Sequence, residues 1–294
     1  FIEISFKDYH IYRFTNVNKF KLFTKLIMTY LSQIKLQEKL DLYRIAIGFI
    51  KNKLNWDLTK EARQSKRELC NLKDKYKGKK LVLLCNGPSL NNVDFNQLKE
   101  SGVFTIGLNK INLLFDDTDY RPDLIVSVNK LVIEQNASFF NSTSIPTILD
   151  SSAIGKIKKR KNVNFIHSLP FQLKFAADIT GSVCQGYTVT YVALQIAFHL
   201  GFDRVALVGC DHNFVTKGSS NMTVVSGKID PNHFSSKYFS DGDKWQLPDL
   251  LGSEMHYKIA KEYFDAKGRK IVNCTEGGKL EIFNRMLLTN FLNE

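Results

Sequence analysis

Apolar and polar positions fall into short blocks over most of the chain. Leu81-Val82-Leu83-Leu84 is an unbroken apolar run, the pattern of a strand buried on both faces. Asn86-Gly87-Pro88-Ser89 stops it, and a helix-like run follows through Lys99. Val103–Gly107, Leu124–Val128, Ile148-Leu149, Val163–Ile166, Val205–Val208 and Ile271-Val272 read as further strands. Tyr187–Leu200 and Leu250–Lys267 carry apolar faces at helical spacing and are closed by Gly201 and Gly268. Leu280–Phe291 reads as a terminal helix, and His212–Pro248 as a long polar loop. Strands alternating with helices predict an α/β fold: a Rossmann-like, mainly parallel sheet with helices on both faces.

The first 80 residues have a different pattern. Residues 1–18 alternate as a short strand or arm. From Lys19 to Asn52, Phe20, Phe23, Leu26, Ile27, Tyr30, Leu31 and Ile34 recur at helical steps among lysines, and Leu40 to Phe49 extend the apolar content. Asp57–Lys77 is charged and reads as a helix capped by Gly78. The chain is therefore divided into a basic, mostly helical extension, 1–79, and a nucleotide-sugar-binding catalytic domain, 80–294.

Charge sharpens that division. The net charge of +12 is concentrated at the front: residues 1–80 hold 19 Lys and Arg against 8 Asp and Glu, and the remainder holds 22 against 21. A nearly neutral second part argues against a nucleic-acid enzyme with a basic active face. The basic helices suit either a peripheral contact with an anionic membrane through residues 1–60 or packing in a homo-oligomer. No apolar run reaches the roughly 18 residues of a spanning helix, and no cleavable signal is evident, so the expected location is cytoplasmic or peripheral on the inner face of the membrane. The five cysteines show neither metal-ligand spacing nor a C-x-x-C pair, and reduced thiols are expected.

Candidate chemistry gathers at strand ends. The loop at the carboxyl end of a parallel strand faces the ligand crevice, and its free N–H groups suit an anion, although an ordinary turn has the same residues. Asn86, Asn109 and Asn129 each follow an apolar strand, so all three lie over one edge of the sheet. Carboxamides there can read a base, a ribose or a sugar without adding charge. Gly186-Tyr187-Thr188-Val189-Thr190 opens a helix, where small and hydroxyl residues both cap it and bind phosphate. His233, in Asp230-Pro231-Asn232-His233-Phe234, is the candidate proton acceptor, with His212 after Asp211 as its rival. Asp117-Thr118-Asp119 and Asp241-Gly242-Asp243 have a metal-binding spacing, but neither follows a clear strand and both read as turns.

Cys85-Asn86-Gly87-Pro88-Ser89-Leu90 resembles the Gly-Asn-Gly-Pro-Ser opening of bacterial family-42 sialyltransferases. Asn109, the Val128-Asn129-Lys130 segment, the stretch from Leu200-Gly201-Phe202 to Val208-Gly209-Cys210-Asp211, and His233 fall at corresponding places, over roughly residues 80–290. Asp230–Phe234 and Lys244–Pro248 look closer to a related group, the hydroxymethylpterin diphosphokinase-like proteins, which includes flagellin-modifying glycosyltransferases.

The resemblance implies an inverting, metal-independent transferase of surface polysaccharide biosynthesis. It would move a nonulosonic acid, such as sialic acid, from a CMP-sugar to a glycan hydroxyl, with no cofactor. Asn86, Gly87, Ser89, Asn109, Asn129, Gly186, Thr188, Thr190 and Asp211 would bind the donor, and His233 would be the general base. The chain departs from that pattern at Val189-Thr190, where the family has Ser-Gly, and at Phe214 and Asn221, where it has phosphate-binding tyrosines; Tyr187 or Tyr238 would then take their place. Two alternatives accompany this reading. An ATP-dependent hydroxymethyl-dihydropterin pyrophosphokinase calls for acidic Mg²⁺ ligands near Asn86. A non-catalytic nucleotide-binding protein leaves His233 dispensable.

Overall fold

The computed structural model describes residues 36–170, 173–214, 218–227 and 229–294. The arm expected over 1–18 and the front of the helix expected from Lys19 lie outside the described residues. The chain divides into two compact units, 1–55 and 56–294. Helix α1, Leu36–Asp57, supplies the described part of the first. It exposes Tyr43, Ile45, Ile47, Ile50 and Leu54. No helix among the described residues is long and apolar enough to cross a membrane.

The second unit opens with Thr59, whose hydroxyl accepts from the Ala62 N–H (3.0 Å) and caps α2, Lys60–Leu72. The charged helix expected over 57–77 is thus two turns shorter at its end. Lys73–Lys79 is instead a series of turns pinned to a neighbouring helix end: Asp74 and Tyr76 donate main-chain bonds to His199 and Leu200. Gly78 (φ +78°) serves a turn there rather than the helix cap.

A parallel sheet of eight strands follows. Its strands are β1 Lys80–Leu84, β2 Phe104–Leu108, β3 Leu124–Ser127, β4 Thr147–Asp150, β5 Val163–Ile166, β8 Arg204–Val208, β11 Lys270–Asn273 and β12 Asn284–Arg285. The spatial order is β12-β11-β8-β1-β2-β3-β4-β5, and every pairing is parallel. Two strands, β6 Ser168–Leu169 and β7 Val183–Cys184, form a separate parallel pair. Both faces of the main sheet are covered, which is why its strands read as continuous apolar runs. Leu81 and Leu83 pack into one core with Tyr191, Ile196 and Phe264, and Val82 and Leu84 pack into the other with Leu90, Leu98 and Phe140.

Small helices connect the strands: α3 Phe95–Ser101, α4 Lys130–Gln135 and α5 Ala137–Ser142. Two larger helices, α6 Val189–Leu200 and α7 Leu250–Asp265, pack on each other. All residues of α6 after Val189 are buried, so no polar face survives on it. Gly201, at φ +94°, closes α6 where a Cβ would lie 2.7 Å from the Asp74 backbone.

Two expectations change. The polar loop 212–248 contains an antiparallel pair, β9 Thr223–Val225 and β10 Lys244–Gln246, and buries Phe234, Tyr238, Phe239, Trp245 and Leu247. Aromatic residues at irregular spacing give it a core that periodicity does not announce. The terminal helix expected over 280–291 shrinks to α8, Leu288–Asn293. Gly277 and Gly278, both in the left-handed region, turn the chain, and Arg285 donates to the carbonyls of Thr275, Gly277 and Gly278. The Leu280 carbonyl accepts from buried Asn273 (2.8 Å), so 280–285 runs extended and ends as edge strand β12.

Candidate active site

Strands β1 to β5 are laid down in one direction from the middle of the sheet, and β8, β11 and β12 in the other. The order reverses between β1 and β8, and a crevice opens outside the carboxyl ends of strands at such a point. A cavity of about 470 Å³ lies there, within the range of small-ligand sites.

The β1 end is built for close approach. Gly87 N donates to Gly209 O (2.8 Å), and a Cβ on Gly87 would sit 2.0 Å from Asp211 Oδ2 and 2.7 Å from Gly209 O. Only glycine fits. Ser89 donates through N and Oγ to the Asp211 carboxylate, the hydroxyl at 2.8 Å. Ser89 and Asp211 therefore hold the β1 and β8 loops together.

Asn86, Asn109 and Asn129 line the one cavity. They are not equally available. Asn129 Oδ1 caps α4, accepting from Leu131 N (2.9 Å) and Val132 N (3.4 Å). Asn109 (φ +50°) accepts at Oδ1 from Ser127 Oγ (3.1 Å). Asn86 Oδ1 is buried with no protein partner, an acceptor lacking a donor, as a ligand contact would be.

Thr188 and Thr190 line the cavity at the first turn of α6. The Thr188 hydroxyl accepts from Thr190 N (3.3 Å), and Tyr257 from α7 donates its phenol to the same oxygen (3.4 Å). Burial pushes the Tyr257 phenol well above its ordinary value, so it stays a neutral donor. Gly186 and Ser89 do not line the cavity. Gly186 (φ +57°) packs against Tyr191 and His256, where a Cβ would be 2.3 Å from the Tyr191 ring. Tyr187 and Tyr238, the substitutes expected for the missing tyrosines, both line the cavity, as do Phe214 and Asn221.

His233 stands across the cavity. Phe234 N donates to Asn86 O (2.9 Å), and Asn91 donates to Phe234 O (2.8 Å), so its loop is tied to the β1 turn. The imidazole lies face to face on Tyr238, 3.9 Å between centroids, with Phe239 and Trp245 edge-on. Its Nδ1 is 2.7 Å from Asp230 Oδ2, and the Asp230 side chain is only 2 % exposed. An Nδ1–H donating to a buried carboxylate leaves the Nε2 lone pair to take a proton. Beneath the loop, buried Lys110 donates to Tyr238 O (2.7 Å) and faces Asp243 at 3.8 Å. Burial lowers the Lys110 ammonium from its ordinary value, while Asp243 and Asp230 act in the opposite direction.

Four residues here carry no role in the sequence reading: Asp230, Tyr257, Glu254 and Lys110. Asp230 has a local signal, since an Asp three before a loop histidine can reach its ring. The others come from distant segments and give none.

Neither Asp-x-Asp tripeptide lines the cavity. Asp243 accepts from Ser240 N within its own turn. No group of three His, Cys, Asp or Glu side chains among the described residues is arranged to hold a metal ion. Of the described lining residues, Asp211 is the one carboxylate, and none is Lys or Arg.

A family model described as 6-hydroxymethylpterin diphosphokinase MptE-like matches residues 57–217, more than half of the chain. Among solved structures, the MAf glycosyltransferase from Magnetospirillum magneticum AMB-1 is similar at 16% identity and a TM-score of 0.46. That likeness covers 78% of this chain and 39% of the other, so the chain spans about two fifths of its length. No curated protein matches the chain.

Proposed function

The chain belongs to the 6-hydroxymethylpterin diphosphokinase MptE-like family, and we propose that it is an inverting glycosyltransferase that moves a nonulosonic acid from a CMP-linked donor to a glycan hydroxyl. The observation that carries this reading is His233, backed by buried Asp230, facing a cavity at the reversal point of a parallel sheet. An acceptor hydroxyl needs a base, and His233 Nε2 is positioned to be one. As that proton leaves, the acceptor oxygen bonds to the anomeric carbon. The bond from that carbon to the phosphate oxygen breaks, and its electron pair departs with CMP.

The polarity of the cavity favours a single phosphate. A diphosphate brings more charge, which Lys, Arg or a divalent cation must balance. The described lining has none of these side chains, and its one carboxylate is held by Ser89. One phosphate can be met by N–H groups at the first turn of α6 with the hydroxyls of Thr190 and Tyr257. Base and sugar would be read by Asn86, Asn109 and Asn129. The same lining weakens the pyrophosphokinase alternative, which requires acidic ligands for a Mg²⁺–ATP complex.

Calorimetric titration with CMP, CDP, UDP and ATP, with and without Mg²⁺, tests the reading, together with transfer from CMP-sialic acid. Metal-independent preference for CMP and inverted product are expected. Preference for ATP with Mg²⁺ overturns it.

A further inference from the structure

A second histidine faces the same cavity with a carboxylate behind it. His212 follows Asp211 at the end of β8, and its ring is largely enclosed, with 7 % of the side chain exposed. Its Nε2 lies 3.1 Å from Glu254 Oε1 on α7. One turn further along α7 stands Tyr257, whose ring centre is 6.2 Å from that of His212 and whose hydroxyl reaches the Thr188 cap of α6. His212 therefore belongs to the α6 end of the cavity, away from the platform of Tyr238 and Phe239 that carries His233.

The backbone adds an independent point. His212 has φ +51°, a left-handed conformation that favours Gly or Asn and disfavours a bulky side chain. A histidine is held there against that preference, with its ring directed to Glu254 and the cavity. The described lining contains no Lys or Arg, so an anion entering the α6 end meets no side-chain cation there except a protonated His212. Glu254 supplies the counter-ion for that protonated ring. The other titratable groups facing it are Tyr257, kept neutral by burial, and Asp211 beside it in the chain.

We propose that His212, charged and paired with Glu254, binds the phosphate of the nucleotide donor and stabilises the charge that gathers on it as the glycosyl bond breaks. This rests on the glycosyltransferase reading and assigns the two histidines separate tasks. His233 accepts the acceptor's proton. His212 donates a charge-assisted hydrogen bond to the departing phosphate and keeps its own proton, so the only proton transferred is the acceptor's.

The test compares CMP with cytidine, which lacks only the phosphate, by calorimetry on the full chain. Two variants serve: His212→Asn, which suits the left-handed backbone and so keeps the fold, and Glu254→Gln. In His212→Asn, CMP binding should weaken on the order of ten- to a hundredfold while cytidine binding is unchanged. Glu254→Gln should shift CMP in the same direction by less. Equal weakening of both ligands, or of neither, overturns the assignment. If the wild-type chain ignores cytidine compounds but binds another nucleotide, the CMP-donor reading fails on its own, and the same comparison with that nucleotide and its nucleoside decides the role of His212.

Discussion

The two histidine–carboxylate pairs of the cavity are built in opposite ways. His233 and Asp230 are three residues apart in one loop, joined through Nδ1, with the carboxylate almost wholly enclosed. His212 and Glu254 are 42 residues apart on different elements, joined through Nε2, with Glu254 38 % exposed. The first ring rests on an aromatic platform, and the second on a backbone held at φ +51°. A local, buried pair fixes one ring nitrogen and leaves Nε2 as a directed proton acceptor. A long-range, half-exposed pair fixes a different nitrogen and depends on two loops staying in register. Like chemistry at the two ends of one cavity is thus turned towards different tasks by the nitrogen each carboxylate takes.

The sharpest break of this comparison is His233→Ala. Transfer at saturating donor should fall by about 10² to 10⁴, with CMP affinity unchanged by calorimetry. A matching loss of CMP affinity would merge the two tasks. Asp230→Asn is next. It keeps the shape but lets the ring take the other tautomer, so kcat should drop by about a hundredfold with KM for the donor little changed; a rise in KM alone would show that Asp230 serves binding.

Gly87→Ala tests the register on which the long-range pair depends. Its Cβ would meet Asp211 Oδ2 at 2.0 Å and must push the β1 and β8 loops apart. A stability loss of about 1–3 kcal/mol in urea unfolding should accompany weakened CMP binding. An unchanged midpoint would mean that the two loops yield without cost.

The smallest effect concerns Lys110, beneath the His233 platform. Its ammonium lies lower in the folded chain than the ordinary 10.5, burial being the main cause. Between the folded value and 10.5 the unfolded chain binds more protons, so this group makes stability rise with pH in that alkaline window and contributes no slope below it. Denaturation of wild type and Lys110→Met across that window should show the slope difference with this sign. The opposite sign would place Lys110 in a site that favours its charge.

Much of the frame is legible along the chain. The apolar runs from Leu81, Leu124, Val163 and Val205 are strands, because a strand covered on both faces needs no alternation. The asparagines at three of those ends reach one cavity because parallel strands all present their carboxyl ends on the same side. Where reading fails, the determinants are not periodic. The helix expected over 280–291 has helical spacing, but Asn273 and the Gly277-Gly278 turn draw its first half into an extended edge. The loop from His212 to Pro248 has a polar composition, yet its aromatics collapse under His233.

The sequence by itself determined the α/β alternation, the Asn-Gly-Pro-Ser turn that only Gly87 allows, and the short-range approach of Asp230 to His233. Each depends on residues within a few positions of one another, so local periodicity and turn chemistry suffice. The tertiary structure alone decided that β8 returns beside β1 and opens the crevice, that Ser89 binds Asp211, and that Glu254 and Tyr257 meet His212 and Thr188. Those contacts join segments separated by tens of residues. They exist because strand order and helix packing bring the segments together, and no spacing within a single segment encodes that arrangement.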